Sequence, residues 1–82
     1  MSAYDNNFNN FREVGILEFS ARLHKLRTNK GLSLTQVAKD TGLSLASISS
    51  YESGRRYPSK KVGAKLVEYF GIEWDDLFGN KY

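Results

Sequence analysis

The sequence predicts an all-α fold, a compact bundle of five short helices behind an N-terminal appendage. Three observations predict it. Apolar residues recur at spacings of three and four, as in Phe19, Leu23 and Leu26 or Val62, Leu66 and Phe70, which places them on one side of a helix. Serine and glycine punctuate the chain in a regular order. Ser33, Ser44 and Ser59 precede the apolar runs, and Gly31, Gly42, Gly54 and Gly71 follow them; a serine hydroxyl caps a helix start and glycine favours a helix end. No segment alternates apolar and polar residues as a half-buried strand does. The 82 residues suffice for one domain with a modest core. They divide into an appendage over 1–17, a body over 18–79 and a tail over 80–82.

Residues 1–15, MSAYDNNFNNFREVG, differ from the body. Asn6, Asn7, Asn9 and Asn10 weaken a helix. Yet Tyr4, Phe8 and Phe11 fall at i, i+4 and i+7 and line up one apolar stripe, which Gly15 is placed to end. The segment reads either as a short helix docking its aromatics on the body or on a second subunit, or as a frayed tail. From Glu18 a helix puts Phe19, Leu23 and Leu26 inward and stops at Gly31. Ser33 caps the next, which turns Val37 and Ala38 inward and ends at Gly42. A three-residue turn, Gly42-Leu43-Ser44, leads into a helix capped by Ser44, with Ile48 and Tyr51 inward and Gly54 at its end.

The loop Arg55–Ser59 holds the only proline, Pro58. Ser59 then caps a fourth helix running to about Phe70, with Val62, Leu66 and Phe70 inward. Gly63 within it costs helix stability but permits close backbone approach. After Gly71, Ile72 packs at the turn and Glu73 is a poorer cap than serine. The short helix WDDLF puts Trp74, Leu77 and Phe78 on the core.

Composition narrows the function. There is no cysteine, hence no disulfide framework and no thiolate metal site. No apolar run is long enough to cross a bilayer and no signal sequence opens the chain, so the expectation is a cytoplasmic protein without a membrane partner. Enzyme chemistry finds no support. His24 is the only histidine, no Asp-His-Ser constellation accompanies it, and metal-ligand spacing and a phosphate-cradling glycine loop are missing. No cofactor is expected. Charge is unevenly spread. Between Arg22 and Lys65 ten basic residues face two acidic ones, Asp40 and Glu52, a net of +8, whereas the first 21 residues carry −2 and the last 17 carry −3. A basic middle between acidic ends is either a solvated lysine-rich surface or the footprint of a polyanion partner.

Two short helices joined by a glycine-led turn have helix-turn-helix spacing. The run LHKLRTNKGLSLTQVAKDTGLSLASISSYESGRRYPS, followed by LVEYFGIEWDDLF, resembles the Cro/cI (XRE-type) helix-turn-helix family over roughly residues 19–78. The resemblance implies a bacterial or phage-encoded transcription regulator, most simply a repressor. It would bind double-stranded DNA as a homodimer and place helix 44–53 in the major groove. It also implies a structural ion pair between Arg27 and Glu52 that holds the reading helix. Some family positions have changed: Leu34 stands where glutamine is frequent, and Leu45, Ala46, Ser47 and Ser50 stand where arginine, glutamine or threonine is frequent.

The expected base readers are therefore Ser44, Leu45, Ala46, Ser47, Ser49 and Ser50. Serine hydroxyls donate and accept, and Leu45 and Ala46 can pack on thymine methyls, which implies modest specificity and an A·T preference. The expected phosphate contacts are Ser33, Lys39, Arg55, Arg56, Lys60 and Lys61, the last two in a helix first turn where free N–H groups also attract phosphate. Tyr57 either bonds a phosphate or packs on its loop. Trp74 and Phe78 belong either to the core or, with the aromatic appendage, to a dimer surface. The alternative function is a protein-binding module on the same fold, antirepressor-like or antitoxin-like, in which Leu45 and Ala46 meet a protein partner and DNA affinity is weak or nonspecific.

Overall fold

The computed structural model describes the backbone of residues 3–79 and the side chains of residues 15–79. Five helices follow one another: α1 (Ala3–Asn29), α2 (Leu34–Thr41), α3 (Leu45–Glu52), α4 (Lys60–Phe70) and α5 (Trp74–Phe78). The described residues contain no strand. One expectation is corrected. Gly15 does not end a separate N-terminal helix, because α1 runs through it without a break. A glycine inside a helix costs about 1 kcal/mol relative to alanine, which weakens the helix locally without stopping it. The expected stripe of Tyr4, Phe8 and Phe11 lies outside the described side chains, and the tail 80–82 lies outside the described residues.

The serine caps have one geometry three times over. The Ser33, Ser44 and Ser59 hydroxyls accept from the backbone N–H of Gln36, Ser47 and Val62 at 3.0, 3.0 and 3.2 Å. Each satisfies one donor that the first helical turn leaves without a partner. At α5 the weaker cap is supplemented, since the Asp76 carboxylate accepts from the Glu73 N–H at 2.9 Å.

All five helices contribute to one core. Phe19 and Leu23 come from α1, Val37 and Ala38 from α2, Ile48 and Tyr51 from α3, Leu66 and Phe70 from α4, and Leu77 from α5. Full burial of one large apolar side chain contributes about 1.5–3 kcal/mol, so even a domain this small can offset much of its ordering entropy. Leu26, Val62, Ile72 and Phe78 pack against this core half-buried. Trp74 is half-buried at its margin, stacked on Phe78 with ring centroids 4.2 Å apart. Tyr57 packs on its loop's inner side, 5.4 Å from the Phe19 ring and 5.8 Å from that of Phe78.

α5 is too short to hold itself. Arg22 of α1 grips it by donating to the Asp75 and Asp76 carbonyls at 3.0 and 3.1 Å, while the same guanidinium pairs with Glu18. Its aromatic side is received by Gly63. A Cβ there would lie 2.8 Å from Phe78 Cζ and 2.9 Å from Trp74 Cη2, so only a hydrogen lets α4 and α5 approach this closely. Gly63→Val is expected to lower unfolding free energy by about 1–3 kcal/mol through overpacking. The gain in helix propensity over glycine should not rescue it. Urea midpoints at unchanged m-value measure this.

Candidate nucleic-acid interface

The turn between α2 and α3 is built by two residues. Gly42 takes a left-handed φ of 79° and bonds back to the Ala38 carbonyl at 2.9 Å, a backbone shape that costs other residues a Cβ clash. Thr41 finishes the turn: its hydroxyl donates to the Val37 carbonyl at 2.8 Å and accepts from the Leu43 N–H at 3.2 Å. Ser44 then starts α3.

α3 is held from behind at three places. Ile48 and Tyr51 sit in the core. The buried Ser20 hydroxyl lies 2.9 Å from the Tyr51 carbonyl and 3.0 Å from that of Ile16, so one side chain of α1 meets the C-terminal end of α3. At the same end Arg27 meets Glu52 in a two-pronged pair, Nε to Oε2 at 2.5 Å and Nη2 to Oε1 at 3.0 Å, with only 13% and 9% of the two side chains exposed. Arg27 Nη1 also donates to the Leu32 carbonyl at 2.7 Å, tying α3 to the α1–α2 turn. His24 joins the pair, with Nδ1 2.9 Å from Glu52 Oε1 and 3.3 Å from Arg27 Nη2.

Burial alone would raise the Glu52 carboxyl. Hydrogen bonds from Arg27 and His24, with their charges, outweigh it and hold Glu52 below its ordinary value. The same bond raises Arg27 against its own desolvation.

With its back fixed, α3 turns Leu45, Ala46 and Ser49 outward. All three are exposed and share one face, within about 100° of helical arc. Leu45 is 47% exposed, high for so large an apolar side chain. Ser47 and Ser50 are half-buried. The serine hydroxyls are not equally available. That of Ser44 accepts from the Ser47 N–H and donates to Ser47 Oγ at 2.9 Å. That of Ser53 donates to the Ser50 carbonyl at 3.1 Å. Ser49 and Ser50 hold their hydroxyls without a partner among the described residues.

The basic residues fall into separate groups. The Arg55 and Arg56 backbone N–H groups both reach the Ser50 carbonyl, at 3.0 and 3.3 Å, so the loop starts against the last turn of α3. The Arg56 guanidinium stands over the Tyr51 ring, 5.5 Å from its centroid. Arg55 is exposed and makes no ion pair among the described residues. Lys60 and Lys61 are exposed in the first turn of α4, beside its Ser59 cap. Ser33 and Lys39 mark opposite ends of α2, Ser33 as N-cap and Lys39 in the last turn. Leu34, which stands where a polar residue would reach outward, packs half-buried against the core.

Several supporting contacts gave no sequence signal. Asp40 accepts from the Tyr69 hydroxyl at 2.6 Å and from Gln36 Nε2 at 2.8 Å, joining α2 to α4. The Tyr69 bond first, then that of Gln36, lowers the Asp40 carboxyl, and the same contact raises Tyr69. Ser20 and His24 were likewise unforeseen as holders of α3. The signal available for His24 was its place one turn before Arg27 on the same helix.

Comparison with known proteins agrees with this geometry. A helix-turn-helix family model matches residues 23–77. The transcriptional activator BcrR of Enterococcus faecalis is 32% identical over 65 residues, covering 79% of this chain and 32% of that protein. The transcriptional regulator AnsR of Bacillus subtilis is 37% identical over 60 residues, 73% of this chain and 52% of that one. This chain thus spans about a third of the first and half of the second. Among solved structures, the restriction-modification controller protein C.AhdI from Aeromonas hydrophila superposes with a TM-score of 0.72 at 36% identity, over 77% of this chain and 96% of that one. These relatives are regulators, not enzymes.

Arg27→Met and Glu52→Gln should each cost about 2–4 kcal/mol, because each leaves a largely buried partner unpaired. The double variant should cost clearly less than the sum, as a double-mutant cycle in urea reads out. Because the folded protein lowers Glu52, its stabilisation is complete above the ordinary value of 4.5 and is lost as pH falls through the depressed value. The urea midpoint of Glu52→Gln should therefore decline less on acidification than that of the unmodified chain.

Proposed function

Because the chain belongs to the Cro/cI (XRE-type) helix-turn-helix family of DNA-binding transcription regulators, we propose that it is a repressor. It binds an operator as a homodimer, each copy seating α3 in the major groove of one half-site. The observation that carries this reading is the outward face of Leu45, Ala46 and Ser49 on a helix clamped from behind by Arg27 and Glu52. A reading helix must present its N-terminal turns to base edges while its other faces are fixed.

Arg55, Lys60 and Lys61 supply the charge that grips phosphate on either side, and the free N–H groups at the start of α4 add to it. Arg56 contributes less, since it also stacks on Tyr51. Ser33 and Lys39 contribute from the two ends of α2. Among the described residues no helix is long and apolar enough to cross a membrane, which fits a site of action on cytoplasmic DNA in a bacterial host. A repressor of this kind acts by occupying a promoter and so excluding polymerase.

Selection from a pool of random duplexes at near-physiological salt tests the reading. The expected product is an A·T-containing inverted repeat with half-site centres about 34–36 Å apart. Arg55→Ala should weaken all sequences alike and lower the salt slope by about one per protomer. Binding that enriches no sequence and vanishes as salt rises would favour the protein-binding alternative, for which the exposed Leu45 is the anchor. A promoter reporter distinguishes the outputs, and activation, the described output of BcrR, would overturn the repressor assignment.

A further inference from the structure

The first turn of α3 is chemically unusual for a helix that reads bases. Its polar groups are partly used locally, for the Ser44 hydroxyl caps the helix and donates to Ser47 Oγ, and Ser47 is half-buried. What remains outward there is apolar: Leu45, 47% exposed, and Ala46. One turn on, Ser49 offers a hydroxyl that can donate or accept. No long polar side chain is exposed on this face of α3, because Glu52, two turns on from Leu45, is paired with Arg27 and only 9% exposed.

We propose that α3 reads the C5-methyl group of pyrimidines in the major groove, so that it accepts thymine and 5-methylcytosine and rejects unmethylated cytosine. This rests on α3 being the DNA-reading helix. In the major groove thymine shows an O4 acceptor and a C5-methyl, whereas cytosine shows an N4 donor and no methyl. 5-Methylcytosine combines the cytosine donor with the thymine methyl. A serine hydroxyl serves either the O4 or the N4 group by rotating, so Ser49 does not separate the two bases. The methyl does, because it removes apolar surface of Leu45 and Ala46 from water. The chain thereby becomes sensitive to cytosine methylation at its own site without any dedicated methyl-binding pocket.

The experiment uses the full chain and the duplex enriched from the random pool. That duplex is synthesised with deoxyuridine at each thymine in turn, and with cytosine or 5-methylcytosine (paired with guanine) at the same positions. Affinities are measured at one salt for the unmodified chain and for Leu45→Ala. At the thymines facing α3, uracil should weaken binding about four-fold for each methyl removed, the fold-change given by burial of one methyl-sized group. Cytosine should weaken it at least as much, and 5-methylcytosine should restore binding to within about two-fold of thymine. In Leu45→Ala the thymine-to-uracil difference should shrink to about two-fold or less, with salt slope and thermal midpoint unchanged.

Equal binding of uracil and thymine at every position would overturn methyl reading while leaving α3 as the reading helix. So would a full difference retained in Leu45→Ala, or an enriched site whose contacted pairs carry no C5-methyl. A pool that yields no enriched sequence would overturn both.

Discussion

The carboxylate of Glu52 is the constraint on which the presentation of α3 depends. It is an ionised group at the end of a helix with only 9% of its side chain exposed, which is tolerable only while Arg27 supplies charge and hydrogen bonds, with His24 a further hydrogen-bond partner. Arg27 also donates through Nη1 to the Leu32 carbonyl. One guanidinium thus joins α1, the α1–α2 turn and the end of α3. The apolar contacts of Ile48 and Tyr51 draw α3 against the core but are not directional. The two-pronged pair is, and together with Ser20 at the Tyr51 carbonyl it fixes how α3 lies against α1 and so which side chains face out.

The serines of this chain divide between construction and recognition. Ser33, Ser44 and Ser59 are committed to helix starts, Ser20 to an interhelix contact, and Ser53 to the last turn of α3. A hydroxyl that only accepts from a helix N–H, as at Ser33 and Ser59, keeps its proton for another partner, whereas those of Ser44 and Ser53 already donate locally. Of Ser44, Leu45, Ala46, Ser47, Ser49 and Ser50, those both exposed and without a local side-chain hydrogen bond are Leu45, Ala46 and Ser49, while Ser47 and Ser50 are half-buried. The same logic separates the basic residues. Arg55, Lys60 and Lys61 are exposed near the end of α3 and the start of α4, whereas Arg27 and Arg22 are structural despite contributing to the same positive stretch of sequence.

The apolar spacing, the serine caps at 33, 44 and 59 and the glycine turn at 42 were legible because each is local: a cap or a turn involves residues within four of one another. That determined the all-α class, the extents of four of the five helices and most of the core. The sequence also singled out Arg27 and Glu52, through family resemblance and through the near-solitude of Glu52 among basic residues. It misjudged Gly15, because a glycine in a helix interior and a glycine at a helix end look alike until the following residues are seen to continue the helix.

Tertiary structure decided what required distant residues to meet. His24 lies 28 positions from Glu52, Ser20 lies 31 from Tyr51, and Tyr69 lies 29 from Asp40, and no spacing rule connects such pairs. Packing also decided that Leu34 turns inward while Leu45 stays in solvent. The two leucines are alike in sequence terms, each following a serine cap. Only tertiary packing leaves the first against the core and the second in water.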